Sequence, residues 1–527
     1  MPGRLLSNAG RAVRLGVARI AFRRAPVVLR LRVPSPLPEL APPAFLSGGE
    51  PALSLLEVLL VLRRAARDPD VAAIAVRMDG PPGGLARATT LRRALAEAAA
   101  EKPVVVWAES LTSEELLAAS GATRVLVPES GSVMLVGLRY EGVFLKALLE
   151  KLGVAPEVVR IGAFKSAGEM LTRETISPEQ RTQLEALLDD HYAALVEGIA
   201  SGRGLAAEAV RDRVEAGPFT APDARAAGLI DECRYPDEVP DEIRALAPAL
   251  GDADPLPLVD ARVYLALRAV DPGWAPLDRE LPGLVYVVAR GQIVRGRGRR
   301  GVACDTYRRL LDRCAEDERV RAVVLRIDSP GGEVVASDLL WRSVQQLGRE
   351  KPVVASLGDT AASGGYYVAA AAHAVLAEAG SVTGSIGVVG GKLDLSGLYE
   401  RLGVGRDGVQ RGGRAGLFTE ARGFTPEERK VVRAGMESAY ERFVGRVAEG
   451  RGLARERVLE AAGGRVWSGT AARERGLVDA LGGPLEAIAE ALRRAELAPD
   501  APLALGVAPR LPRFGSLRDW LRLLPQS

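Results

Sequence analysis

A serine followed by two glycines stands in the middle of residues 358–372, which read GDTAASGGYYVAAAA. The preceding run, 351–357, is apolar and typical of a strand, and the alanine-rich run 366–372 predicts a buried helix. Ser363 at such a turn suits a nucleophile, because the glycines let a substrate carbonyl approach and the helix N-terminus offers free N–H groups. An ordinary helix N-cap serine explains the same residues, so this stretch alone leaves both interpretations open.

A nucleophilic serine needs a base within hydrogen-bond reach. The two histidines of the chain are poor candidates. His373 would lie about 15 Å from Ser363 along the predicted helix, and His191 belongs to a helical run without a serine motif. A buried lysine can be neutral near pH 7, whereas arginine stays charged. Lys165 lies among apolar and small residues in the run IGAFKSAGE, and is the candidate base; a solvated lysine is the alternative.

The chain contains an internal duplication. Five blocks of sequence recur in the same order, with offsets of 248 to 250 residues. The matching blocks are 68–84 with 317–332, 102–106 with 351–355, 149–154 with 399–404, 177–181 with 425–429, and 223–231 with 471–479. Chance is a poor explanation for five such matches.

Each copy keeps one half of a serine/lysine pair. At an offset of 250, Ser363 aligns with Ser113 of the first copy, where two glutamates replace the two glycines. Glutamates at that place would repel a developing oxyanion. Lys165 aligns with Ala415, so the second copy has the glycine turn but no lysine. The alignment predicts one composite Ser363/Lys165 site per chain.

Further motifs suit the surroundings of such a site. The run DSPGG ends in Gly331 and Gly332, follows a predicted strand and opens a predicted helix. Its backbone N–H groups are candidates for one oxyanion donor, and the N–H of Gly364 is a candidate for the other. Ser385, in the run TGSIG, offers a hydroxyl that could orient the lysine amine. A simple turn serine is the alternative interpretation of Ser385.

Strand-like runs alternate with helical patterns in both copies, which predicts an α/β fold with mainly parallel sheets flanked by helices. In copy two we expect strands at 284–289 and 322–327 and helices at 305–316 and 334–347. The expected organisation is a basic amphipathic segment (1–24), a first domain supplying Lys165 (25–235), a linker (236–282) with a helix at 258–269, a second domain supplying Ser363 (283–495) and a Pro-rich tail (496–527). The basic run 290–300 is either a flexible solvated loop or a lid.

The composition excludes several classes of protein. At 527 residues the chain is long enough for more than one domain, and 47% hydrophobic and 26% charged residues are typical of globular proteins. A net charge of +3 and the lack of any nucleic-acid-binding motif argue against a nucleic-acid partner. Three scattered cysteines and two distant histidines offer neither a disulfide framework nor a metal site, so we expect no metal and no cofactor.

The N-terminal residues 1–24 carry six arginines and no acidic residue. At 100° per residue, apolar and basic side chains fall mainly on opposite sides, which favours a helix on an anionic membrane surface. A solvated basic tail fits equally well. No stretch reaches the roughly 18 apolar residues of a membrane span, so we expect a soluble or peripheral protein.

The motifs at 328–332, 361–366, 383–387 and 162–166 resemble those of signal peptide peptidases of the SppA type in their long, two-domain form. The resemblance covers nearly the whole chain from about residue 25. It implies two tandem ClpP/crotonase-like domains, a serine nucleophile from the second domain and a lysine base from the first. Carried over by motif, the implied residues are Ser363 and Lys165, with Ser385 as the partner of the lysine and Gly331, Gly332 and Gly364 around the oxyanion.

The resemblance also implies a homo-oligomer that degrades signal-peptide remnants or other apolar peptides at the bacterial inner membrane. Family members usually carry a membrane anchor, and this chain shows only the basic segment 1–24 as a peripheral membrane contact, so the side of the membrane stays open. The leading expectation is a serine endopeptidase with a Ser/Lys dyad. The alternatives are a crotonase-type acyl-CoA enzyme with carboxylate bases, and a non-catalytic, membrane-associated scaffold of the same fold.

Overall fold

A computed structural model describes residues 26–41, 52–268, 282–298, 300–498 and 504–509. The basic segment 1–24 and most of the Pro-rich tail lie outside these ranges. None of the helices that it describes has the length and apolar character needed to cross a membrane.

The first half of the chain forms a parallel sheet with the strand order β10-β1-β2-β3-β5-β9. The strands are β1 (Val27–Val33), β2 (Val71–Met78), β3 (Val104–Ala108), β4 (Leu111–Thr112), β5 (Arg124–Val127), β6 (Ser132–Met134), β7 (Ala155–Ile161), β8 (Phe219–Thr220), β9 (Glu232–Cys233) and β10 (Leu258–Asp260). The helices are α1 (Leu55–Arg67), α2 (Leu85–Ala99), α3 (Ser113–Ala119), α4 (Lys146–Leu152), α5 (Glu169–Thr172), α6 (Pro178–Arg203), α7 (Ala207–Ala216), α8 (Ala221–Ala226), α9 (Val239–Leu246) and α10 (Ala261–Arg268).

The second half repeats this arrangement, with β21-β11-β14-β15-β16-β20 in the equivalent order and all parallel. Its strands are β11 (Gly283–Arg290), β12 (Ile293–Val294), β13 (Val302–Ala303), β14 (Val320–Ser329), β15 (Val353–Ala362), β16 (Ala374–Ala377), β17 (Val382–Gly384), β18 (Val388–Asp394), β19 (Val466–Ser468), β20 (Ala480–Leu481) and β21 (Ala504–Ala508). Its helices are α11 (Cys304–Glu316), α12 (Val334–Glu350), α13 (Gly364–Ala369), α14 (Ser396–Arg401), α15 (Pro426–Arg451), α16 (Arg455–Ala461), α17 (Gly469–Glu474) and α18 (Pro484–Arg494).

The predicted fold class is confirmed: two tandem α/β domains with mainly parallel sheets and flanking helices. Central strands read as continuous apolar runs because helices cover both faces of a parallel sheet. All five residues of β3, for example, are buried. The strands predicted at 284–289 and 322–327 and the helices predicted at 305–316 and 334–347 are present, each extended by one to three residues at one or both ends, whereas the strand predicted from 351 begins at Val353.

Each sheet gains an edge strand from a segment outside the expected domains. In the first domain β10 lies in the predicted linker and pairs with β1. In the second, β21 lies in the predicted tail and pairs with β11. The helix predicted at 258–269 therefore begins only at Ala261, because the preceding three residues hydrogen-bond to β1 as a strand.

Part of the basic run 290–300 is hydrogen-bonded to the rest of the second domain. Residue 299 is not among the described residues. The Ile293 N–H donates to Gly331 O at 2.8 Å, and the Glu333 N–H donates to Ile293 O at 3.0 Å. Ile293 is buried, and β12 pairs with β13. Residues 293 and 294 therefore support the glycine turn at 331–333, and a flexible solvated loop was the wrong interpretation for them.

The two domains are joined by a shared ribbon. Strand β7 of the first domain pairs antiparallel with β18 of the second, from Ile161 opposite Val388 to Ala155 opposite Asp394. A buried ionic cluster adds to this junction: Glu39 of the first half contacts both Arg87 and Arg326. Burial alone would raise the pKa of Glu39, but the two guanidinium groups hold it below the ordinary value.

Candidate active site

Ser363 lies between strand β15 and helix α13. Its backbone has φ 54° and ψ −120°, a conformation that residues with a side chain rarely adopt. The turn is held by hydrogen bonds from the Ser363 N–H to Gly384 O and from the Tyr367 N–H to Ser363 O, both 2.8 Å. The Ser363 side chain makes no capping hydrogen bond to the helix. The N-cap interpretation therefore does not explain this serine, whose hydroxyl is directed elsewhere.

The Lys165 amine lies against that hydroxyl. Its Nζ is 3.0 Å from Ser363 Oγ, 2.9 Å from Ser385 Oγ and 3.0 Å from Ser385 O. Lys165 is only 5% exposed. Burial lowers the pKa of its amine to about 8. No carboxylate among the described residues forms an ion pair with it, so nothing offsets the effect of burial.

The ribbon of β7 and β18 delivers the lysine from one domain to the serine of the other. Lys165 follows the end of β7 by four residues, and Ser385 precedes β18 by three. Gly463 and Gly464 of the second domain complete the clamp. The Phe164 N–H donates to Gly463 O at 2.9 Å, and a Cβ added to Gly464 would lie 2.6 Å from the Lys165 backbone nitrogen. Neither glycine is among the site residues predicted from the sequence, where two consecutive glycines are the only signal for this contact.

Ser385 is placed to orient the amine. Its φ of 53° is again positive, and its N–H donates to Arg465 O at 2.8 Å. The Ser385 hydroxyl donates to Gly464 O at 3.4 Å, which leaves lone pairs on Oγ free to accept from Lys165. The structure thus brings together the three polar side chains that the sequence indicated.

The glycine turn 331–332 packs directly against Ser363. A Cβ on Gly331 would lie 2.9 Å from Ser363 Cβ, and the Gly331 N–H donates to Ser329 Oγ at 3.2 Å. Gly331 therefore allows close packing, with its own N–H already engaged. The Gly332 nitrogen lies 3.2 Å from the position of a Cβ on Gly364. Gly364 begins α13, so its N–H has no intrahelical acceptor. The N–H groups of Gly332 and Gly364 are the candidate oxyanion donors.

An open cleft with about 450 Å³ of empty space adjoins Ser363 and Lys165. Its lining includes Val334, Tyr367, Val388, Ala439 and Phe443, and none of its described lining residues carries a carboxylate. The rings of Tyr367 and Phe443 pack with centroids 4.6 Å apart. The cleft therefore combines these apolar side chains with polar groups, which include Lys165, Ser337 and Ser363.

The equivalent place in the first domain is filled. Glu114 stands where the second domain has Gly364, and its Oε2 accepts from the Gly84 N–H at 3.1 Å. Gly84 aligns with Gly332 at an offset of 248. The Ser113 hydroxyl donates to Met134 O at 3.1 Å. Glu114, which we expected to repel an oxyanion, thus accepts from the Gly84 N–H, the counterpart of the candidate oxyanion donor at Gly332.

Neither histidine approaches the site through a contact in the described structure. Helix α13 ends at Ala369, three residues before the predicted end at 372. His373 directly precedes strand β16. The Val353 N–H donates to its Nδ1 at 3.1 Å, which is a structural role. His191 lies in α6.

Comparison with known proteins gives a consistent result. The profile of peptidase family S49 matches residues 96–249 and 345–498, together more than half of the chain. Serine protease SPPA, chloroplastic, of Arabidopsis thaliana is 34% identical over 84% of this chain and 66% of its own length. Protease 4 of Haemophilus influenzae is 29% identical over 74% of this chain and 65% of its own length. Among solved structures, a mutant of ClpP1 from Listeria monocytogenes has a TM-score of 0.27 and 14% identity, covering 38% of this chain and 94% of its own.

The chain spans just under two thirds of the length of these two relatives. Both profile matches fall on the two halves that the duplication defines, and the second match contains Ser363 while the first contains Lys165. The chain belongs to peptidase family S49.

Proposed function

We propose that this chain is a serine endopeptidase in which Ser363 is the nucleophile and Lys165 is the general base. The observation that carries the proposal is the 3.0 Å separation of Lys165 Nζ and Ser363 Oγ. A neutral amine has two N–H groups and one lone pair. The two oxygens of Ser385 can accept both N–H groups, which leaves the lone pair facing the Ser363 hydroxyl. This is the arrangement that a base needs to accept the serine proton.

The reaction then follows from the geometry. Ser363 Oγ attacks the peptide carbonyl carbon while its proton passes to Lys165 Nζ, and the carbonyl oxygen becomes an oxyanion between the N–H groups of Gly332 and Gly364. The lysine ammonium gives the proton to the departing amine as the peptide bond breaks, leaving an acyl-enzyme. Water, deprotonated by the same amine, attacks the ester and releases the second product and Ser363.

The apolar side chains in the lining of the cleft, such as Val334, Val388 and Phe443, support extended peptides with apolar side chains as substrates, such as signal-peptide remnants. The absence of carboxylates from the described lining gives no support to a crotonase-type reaction, which needs a carboxylate base there. The family resemblance supports a location at the bacterial inner membrane, and the basic amphipathic sequence of residues 1–24 supports a peripheral contact with it.

The duplication also supports a homo-oligomer. Within the chain, Gly390 of β18 pairs with Val159 of β7. The equivalent segments, 138–144 in the first domain and 405–411 in the second, belong to no strand in the described chain and carry exposed apolar side chains. A shift of 250 residues places Tyr140, 45% exposed, opposite Val409, 96% exposed, in two neighbouring chains. Because such a contact is head-to-tail, repeating it gives a ring if the rotation closes.

Labelling with a fluorophosphonate tests the peptidase proposal. We expect the reagent to modify wild type at Ser363 and to leave Ser363→Ala unmodified. Lys165→Met should react about 10²- to 10⁴-fold more slowly, the usual contribution of a positioned base. Lys430→Met, at an exposed lysine, is the matched control and should react like wild type. A folded wild-type protein that stays unlabelled would overturn the proposal.

A further inference from the structure

Gln183 is a buried polar residue that the proposed reaction does not use. It lies on α6, at the junction of the two domains, and its exposure is only 3%. A buried amide of this kind needs partners at both its nitrogen and its oxygen, since an unsatisfied one costs about 1–3 kcal/mol. Gln183 has both.

The contacts of Gln183 surround the lysine. Its Nε2 donates to Phe164 O at 3.3 Å and to Ser166 Oγ at 3.2 Å, the residues on either side of Lys165. Its Oε1 accepts from the Val466 N–H at 3.2 Å, in β19 of the second domain. One side chain therefore binds residues 164–166 of the first domain, here called the lysine loop, and strand β19 of the second.

That strand is tied directly to the serines. Val466 pairs with Gly384 of β17. The O of Gly384 accepts from the Ser363 N–H, and the O of Arg465 accepts from the Ser385 N–H. Val466, which Gln183 binds, therefore pairs with the acceptor of the Ser363 N–H and directly follows the acceptor of the Ser385 N–H. Ser363 and Ser385 are the two residues that contact the Lys165 amine.

The internal repeat provides a comparison within the same chain. Helices α6 and α15 are equivalent at an offset of 248, which aligns Gln183 with Val431. The second copy also has Ala415 in place of Lys165. An apolar residue is therefore compatible with this helix position in the copy that presents no lysine. The amide occurs in the copy where the loop carries the base.

We propose that Gln183 is a positioning residue for Lys165, which fixes the lysine loop against β19 and so holds the amine at the Ser363 hydroxyl, out of water. This inference rests on the proposed peptidase function. Gln183 acts through the lysine and not by contact with substrate.

The test is the rate of fluorophosphonate labelling of Ser363, measured from about pH 6 to about pH 10, where a lysine base changes its protonation. Gln183→Met removes all three hydrogen bonds at similar volume. We expect labelling at neutral pH to fall about 10- to 100-fold, as displacement of a catalytic group by about 1 Å can do. We also expect the midpoint of the pH profile to rise, because a displaced amine is better hydrated and holds its proton more strongly.

Two further variants keep the test decisive. Ser166→Ala removes a single partner of Gln183, and should shift the midpoint in the same direction by less, even if Gln183→Met folds poorly. Gln346→Met makes the same chemical change at an exposed site and should leave rate and midpoint unchanged. A role confined to stability would lower the thermal midpoint and the labelled fraction while leaving the pH midpoint of the labelled protein where it was. That result, or wild-type rates in both Gln183→Met and Ser166→Ala, would overturn the inference, whereas an unlabelled wild type would instead overturn the peptidase proposal.

Discussion

The Nζ of Lys165 and the Oγ of Ser363 lie 3.0 Å apart, although 198 residues separate them in the chain. They belong to different copies of a duplicated domain. The pairing of β7 with β18 brings Lys165 to the second domain, because Lys165 follows β7 and Ser385 precedes β18. Ser385 in turn binds the Lys165 amine beside Ser363. The site is therefore a property of how the two copies dock.

The pH dependence of acylation should report the lysine amine. Burial lowers the pKa of Lys165 to about 8, and only the neutral amine can accept the serine proton. The labelling rate should rise about tenfold per pH unit below the midpoint and level off above it, as expected for one titrating base. Fluorophosphonate labelling over this range measures the midpoint. A midpoint near the ordinary lysine value of about 10.4 would show that the amine is not desolvated when it reacts.

The same burial should make Lys165 unfavourable for stability at neutral pH. The pKa of its amine is about 8 in the folded protein and about 10.4 in an unfolded chain. Between these values the unfolded state binds more protons, so the free energy of unfolding rises with pH across that window. Below it, Lys165→Met should be more stable than wild type by about 1–3 kcal/mol, with the gain shrinking as the pH approaches 10. Urea unfolding at several pH values measures this; a destabilised Lys165→Met at neutral pH would contradict it.

The hydroxyl of Ser385 should contribute to the reaction separately from its backbone. Removing Oγ deletes one acceptor of the amine while Ser385 O remains, so Ser385→Ala should label about tenfold more slowly, in line with one lost hydrogen bond to a charged or reacting group. Alanine also retains the strain of a φ of 53°. Ser385→Gly removes the hydroxyl without that strain and is the matched variant. Both variants lack the hydroxyl, so both should label more slowly than wild type; wild-type rates in Ser385→Ala and Ser385→Gly would contradict this role of the hydroxyl.

The first domain should hold no second reactive serine. Glu114 already accepts from the Gly84 N–H, and the Ser113 hydroxyl donates to a backbone carbonyl. Mass spectrometry of the labelled protein should find one adduct per chain, at Ser363. Ser113→Ala should label at the wild-type rate, and an adduct at Ser113 would contradict the single composite site.

The exposed segments 138–144 and 405–411 should control assembly. Tyr140→Asp or Val409→Asp places a charge in the proposed chain-to-chain ribbon and should reduce the mass measured by light scattering to that of a monomer. Leu459→Asp, a matched change at an exposed residue of α16, should not. Because Lys165 and Ser363 meet within one chain, the monomeric variants should still label. An unchanged mass in both Tyr140→Asp and Val409→Asp would exclude this interface.

Much of this protein follows from the sequence alone. The alternation of apolar runs and helical patterns was enough to predict the fold class, because hydrophobic periodicity is a local property that can be read without knowing how the elements pack. The repeat at offsets of 248 to 250 residues showed a serine without a lysine in one copy, and in the other a lysine whose aligned serine is followed by two glutamates in place of two glycines. The pairing of Ser363 with Lys165 could be predicted because the duplication supplied its own comparison.

Only the tertiary structure decided how the halves meet. The edge strands β10 and β21 were invisible in the sequence because strands of three and five residues are fixed by their neighbours more than by their own pattern. The strained turn at Ser363, the glutamate that fills the first copy and the clamp of Gly463, Gly464 and Gln183 on Lys165 all depend on contacts between distant segments. Such contacts leave no periodic trace in the chain, because each is made by one or two residues whose partner is chosen by docking.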